Sequence, residues 1–184
     1  MKITVKSMLL CGFLLALVVS CDKKDDEVDT SKVIDNVFKD IPLNDIESNK
    51  AYIVDNDISV TFSEMIQKEC ESCGLENLEY YFSDAYEDGL TNSDGPGQLY
   101  IGYGRVVIDI SKRSSPKKIL IEWWPNCSVC GTMFLYDKDE NIIIRDDHNG
   151  KGVLTSYYTT GIEDVDFIVI SAFETLVKKV SLEF

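Results

Sequence analysis

The chain has 184 residues, with 18 Lys and Arg against 32 Asp and Glu, a formal charge of −14 and one histidine. Such acidity disfavours nucleic acid and anionic lipid as partners, since both repel it. Its many carboxylates show no spacing that singles out a catalytic pair. There is no Gly-rich phosphate loop, nucleophile elbow or paired-His metal motif, so a non-enzyme is expected.

Lys2 and Lys6 precede an apolar run from Met8 to Val19, which ends at Ser20-Cys21. A charged, then apolar, then small-residue order is that of a secretory signal peptide, and the run is shorter than the roughly 20 residues a bilayer span needs. Leu17-Val18-Val19-Ser20-Cys21 resembles a bacterial lipobox, in which a small residue precedes the cysteine that is acylated before cleavage. The resemblance implies a signal peptide over residues 1–20 and lipid on Cys21. Ordinary cleavage near Ser20 and retention as a signal anchor are the alternatives. Cleavage removes Lys2 and Lys6 and no acid, leaving 16 basic against 32 acidic side chains, or −16. Asp22-Lys23-Lys24-Asp25-Asp26-Glu27 resembles the signal that sends some Gram-negative lipoproteins to the outer face of the outer membrane. The expected location is therefore the outer membrane, lipid-anchored and exposed at the cell surface.

Over residues 21–50, Asp, Lys, Ser and Asn outnumber scattered apolar residues, so a lipidated acidic flexible stalk is expected, with one weak helix around Val33 to Phe38. Residues 51–184 make one domain of ordinary size. Within it Ser63 to Cys73 reads as a short helix, with Thr61 or Ser63 as N-cap. Alternating runs then recur at Arg105 to Ser111, Lys118 to Trp124, Thr132 to Tyr136, Ile142 to Arg145, Leu154 to Thr159, Phe167 to Ser171 and Leu176 to Phe184. Ile119, Ile121 and Trp123 share one core face, and Leu176, Val180, Leu182 and Phe184 another. Asp137 to Asn141 has the chemistry of a hairpin turn. Together these predict an all-β fold: an antiparallel two-sheet sandwich or jelly roll with one short helix.

Cys70 and Cys73, and Cys127 and Cys130, form two Cys-x-x-Cys pairs. Two such pairs suit tetrahedral zinc. An exported chain, however, meets an oxidising compartment that drives thiols to disulfides, which are the expected state. Bridges between the two pairs would close a long loop and stabilise by roughly 4 kcal/mol on the chain-entropy model. Lys118 to Cys130 is superficially similar to the thioredoxin strand entering its redox dithiol. That motif caps a helix, whereas Gly131 to Asp139 alternates like a strand and then turns, and no proline follows Pro125.

Ala85-Tyr-Glu-Asp88-Gly89, Gln98-Leu-Tyr100-Ile, Val106-Val-Ile108-Asp109-Ile110-Ser-Lys112 and Lys118-Ile119-Leu-Ile121 resemble, in order and rough spacing, the discoidin-type domains of the galactose-binding-like jelly roll. Departures are an extra residue between Ala85 and Asp88 and no tryptophan around Tyr100. The resemblance covers about a quarter of the chain. It implies loops at one end that bind sugars or other exposed ligands, and a structural calcium. Asp88, Asn92 and Asp94 are its candidate ligands, since hard oxygens suit calcium. Tyr100, Tyr103, Trp124, Tyr157 and Tyr158 are the candidate stacking residues for a glycan. His148, in Arg145-Asp-Asp-His148-Asn-Gly, reads as a solvated turn residue. Two functions follow: a surface binding module for glycan or another extracellular ligand, or a structural lipoprotein contacting an envelope partner. Exposed aromatics favour the first, and a broad apolar patch the second.

Overall fold

Ile119, Ile121 and Trp123 alternate with Lys118, Leu120, Glu122 and Trp124, so a strand here buries one side and leaves the other toward water. The computed structural model describes residues 32–42, 46–66, 69, 79–82, 98–125, 131–148 and 152–184, and among these every regular element is a strand. In chain order they are β1 (Val33–Ile34), β2 (Ala51–Asp55), β3 (Ile58–Ser63), β4 (Glu79–Phe82), β5 (Leu99–Asp109), β6 (Lys118–Pro125), β7 (Gly131–Tyr136), β8 (Ile142–His148), β9 (Leu154–Tyr158) and β10 (Phe167–Glu183). All their ladders are antiparallel and join one sheet, an all-β architecture consistent with a sandwich.

The long strand β10 organises the rest. One of its edges carries β5 from Phe167 to Val177 and then β1 at Leu182 and Glu183. The other carries β7 from Phe167 to Ala172 and then β6 from Thr175 to Glu183. Beyond these lie β3 and β4 against β5, β2 against β3, β8 against β7, and β9 against β6.

The inward face changes along β10. Ile168, Ile170 and Ala172 enter the core from its first half, but Val177, Val180 and Leu182 from its second. Glu174, at φ 46°, lies at the changeover, and its left-handed backbone rotates the strand. A bulge between Val177 and Lys179 then shifts the register against β6. Bends and bulges of this kind let one strand serve two layers. They also correct the expected grouping: Leu176 lies on the outer face, whereas Val180, Leu182 and Phe184 join the core.

Two further expectations change. Val33 and Ile34 pair with Leu182 and Glu183 in a ladder and not in a helix. Val37 and Phe38 are fully buried, and the Val37 N–H donates to the Val180 carbonyl at 3.0 Å. The fold therefore includes residues from Lys32 onward, within the span expected as stalk, because these apolar side chains find a sheet to cover. In the expected helix from Ser63 to Cys73, Ser63 ends β3 and residues 64–66 have no regular structure. Phe62 continues the alternation of Ile58 and Val60 into the core, which holds that stretch extended. Apart from Glu69, the rest of the expected helix lies outside the described residues.

The hairpin between β7 and β8 forms as expected. The Asp137 carboxylate accepts from the N–H groups of Asp139 at 2.9 Å and Asn141 at 2.8 Å, and from Asn141 Nδ2 at 2.9 Å. These donors, the Asn141 side chain foremost, hold its carboxyl below the usual range.

Candidate functional site

Trp123 is fully buried in the core, so its neighbour Trp124 projects from the opposite face of β6. Trp124 pairs with Leu176, and Leu176 pairs on its other side with Tyr100. Tyr100, Leu176 and Trp124 thus form a row across β5, β10 and β6. Tyr157 pairs with Leu120, two positions from Glu122 and four from Trp124, so it shares this outer face and is 53 % exposed. Tyr100 and Trp124 are half-buried, and Leu176 between them is buried. Three of the five aromatic candidates therefore share one face, on strands of the sheet and not on loops.

Polar groups intersperse them. Lys118, Glu122, Lys179, Ser181 and Glu183 are half-buried on the same face. Lys179 Nζ is 2.5 Å from Asp35 Oδ1, Lys118 Nζ is 3.7 Å from Glu183 Oε2, and Lys118 Nζ lies 5.4 Å from the Tyr157 ring centroid. A groove of about 200 Å³ runs here, lined by Val33, Asp35, Lys118, Leu120, Lys179 and Ser181. None of these polar residues was singled out from the sequence. Their signal was the alternation that places Lys118, Leu120, Glu122 and Trp124 on one side of β6.

Tyr103 belongs elsewhere. It faces Phe173 at 6.3 Å between ring centroids, on the side of the sheet that carries Arg105 and Ser171. That side is covered at its centre, and a groove of about 170 Å³ lined by Arg105, Val107, Tyr136, Glu140, Phe167 and Val169 lies beside the cover. Glu69 is buried there: its carboxylate lies 2.9 Å from Arg105 Nε and accepts from Ser171 Oγ at 2.5 Å and Tyr136 O–H at 3.3 Å. Phe134, Tyr136 and Val169 form a small second core beside it. Burial, and then the adjacent Glu69 charge, push the Tyr136 phenol above its ordinary value.

Tyr158 packs against the main core, and its hydroxyl donates to Asp146. Burial and that bond push its phenol up as well. His148 is the last residue of β8 and not a solvated turn: its ring stands edge-on to Trp123, 4.0 Å between centroids. Its Nε2 lies 2.8 Å from Ser156 Oγ and 3.1 Å from Asp146 Oδ2, and Ser156 Oγ also donates to Asp146 at 3.2 Å. A serine–histidine–carboxylate relay uses the two ring nitrogens for its two partners. Here one nitrogen meets both, and Ser156 is buried, so the cluster ties β8 to β9.

No family model matches the sequence, and no curated protein does. Solved structures with partial likeness are carbohydrate-binding modules and lectin or adhesin domains. The family 29 carbohydrate-binding module CBM29_1 from Piromyces equi is 6% identical, with a TM-score of 0.42 over 84% of this chain and 91% of that one. A Streptococcus pneumoniae fucose binding module, SpX-3, is 12% identical, with a TM-score of 0.36 over 57% and 92%. The K2 cleaved adhesin domain of Lys-gingipain is 7% identical, with a TM-score of 0.40 over 83% and 100%.

Cys21, the four cysteines at 70, 73, 127 and 130, and Asp88, Asn92 and Asp94 lie outside the described residues. Among the described residues, no cluster of three His, Cys, Asp or Glu side chains is placed to hold a metal ion. The exposed apolar residues Val33, Ile53, Ile142 and Val153 come from four different parts of the chain.

Proposed function

We propose that this protein is a lipid-anchored, non-catalytic binding module of the bacterial cell surface that takes glycans on the outer face of β5, β10, β6 and β9. The observation that carries the reading is the meeting of Tyr100, Trp124 and Tyr157 with Lys118, Glu122 and Lys179 on that face. A sugar ring offers apolar C–H faces and a rim of hydroxyls. Aromatic surface interleaved with fixed donors and acceptors matches both. On a glycan array the purified protein should bind, and Trp124→Ala should bind at least tenfold more weakly with unchanged melting temperature; equal binding by the variant would remove this face from the function.

The anchor rests on the order of residues 1–21. Labelled fatty acid should enter the wild-type protein in cells and not Cys21→Ala, and protease added to intact cells should degrade the chain if it faces outward. Disulfides between the two cysteine pairs are supported by their described neighbours. Glu69 bonds Ser171, and Gly131 pairs with the adjacent Ala172, so the residues beside Cys70 and Cys130 are held at one place on β10.

A further inference from the structure

We infer that the ligand is an uncharged, extended oligosaccharide gripped along its length, not a terminal sugar held in a pocket. This rests on the glycan reading above and concerns the layout of the same face. Tyr100 and Trp124 flank Leu176 from its two sides, which sets their backbones two strand spacings apart, about 9.6 Å. Tyr157 is one strand further out, level with Leu120, four residues along β6 from Trp124. Strand spacing and rise together set Tyr157 about 20 Å from Tyr100. The three rings thus mark a diagonal strip across four strands, much longer than one sugar.

The middle of the strip is polar. Glu122 and Lys179 are cross-strand partners between the ring at one end and the pair at the other. Lys118 stands beside Tyr157, and the groove at Asp35 and Ser181 opens next to it. An order of aromatic, polar and aromatic surface suits successive sugars of one chain. The described charges of the strip are Asp35, Glu122 and Glu183 against Lys118, Lys178 and Lys179, three of each sign, and Lys118 and Lys179 are already beside a carboxylate. On a chain of net charge −14, this leaves no excess cation for a sulfate or uronate.

The test is calorimetric titration of the purified protein with cello-, xylo- and malto-oligosaccharides, from monosaccharide to hexasaccharide, beside sulfated and uronate chains of equal length. The expected result is affinity for a neutral series that rises at least tenfold from disaccharide to hexasaccharide. Tyr157→Ala should cut hexasaccharide binding about tenfold, the equivalent of about 1.4 kcal/mol, and leave disaccharide binding unchanged. A monosaccharide bound as tightly as the hexasaccharide overturns the inference and leaves the glycan reading standing. Preference for the anionic chains also overturns it. If no sugar of any length binds there or on the array, the glycan reading itself fails.

Discussion

The two halves of β10 present outer faces that differ in what covers them. Over the first half, Ser171 and its neighbours are covered by Glu69, and Phe134, Tyr136 and Val169 disappear from solvent. Over the second, Leu176 is buried between Tyr100 and Trp124, while Trp124, Lys179 and Glu122 remain half-exposed and Tyr157 is open beside them. A buried carboxylate amid an arginine and two hydroxyls makes a fastening, because removing any partner strands the rest. Lysines and an exposed ring such as Tyr157 add little to stability. The difference separates what holds the domain together from the face proposed to bind.

The sharpest way to break this contrast is Glu69→Ala. It leaves Arg105 partly buried without its carboxylate and should cost about 3–5 kcal/mol, a fall in melting temperature of roughly 10 °C for a domain this size. Gly131→Ala should come next. A Cβ there would meet Trp123 Cζ3 at 2.7 Å, against a ring fixed in the core, and overpacking of this kind costs about 1–3 kcal/mol. Calorimetric or denaturant unfolding would measure both. On the open face, Tyr157→Ala should change stability by no more than about 0.5 kcal/mol; a large loss would mean that this face is structural too.

Titration sharpens the same comparison. The Tyr136 phenol of the capped face, and Tyr158 beneath β8, are held above the ordinary value of 10.0. Their phenolate absorbance should appear only well above that value. Since their folded values are raised, the stability they contribute is present below pH 10 and is lost as the pH rises beyond it. Asp137 shifts the other way. Its contribution is present above the ordinary carboxylate value of 3.8 and is lost as the pH falls through its lowered one, so the β7–β8 hairpin should loosen at strongly acid pH, visible by amide exchange.

The fold class was legible because strands that bury one side must alternate, and β6 does so along its whole length. Where the backbone itself changes the rule, alternation misleads. Phe173-Glu174-Thr175 reads as a break between two strands, yet a single left-handed residue carries β10 through it. Val37, Phe38 and Ile41 sit among Asp, Lys and Asn and look like linker, since the partner of Val37 on β10, Val180, lies about 140 residues away in sequence. The candidate site was half legible. Aromatic residue type suggested Tyr100, Trp124 and Tyr157, but only cross-strand register puts them on one face and sends Tyr103 and Tyr158 elsewhere.

The central claim is that the open face, and not the capped one, meets the ligand. It is tested most directly by measuring binding of the same glycan to Trp124→Ala and Tyr103→Ala, one aromatic from each face. Trp124→Ala should lose binding by at least tenfold while Tyr103→Ala, where it folds, should keep wild-type affinity. Binding that survives in Trp124→Ala and is lost in a folded Tyr103→Ala would contradict it.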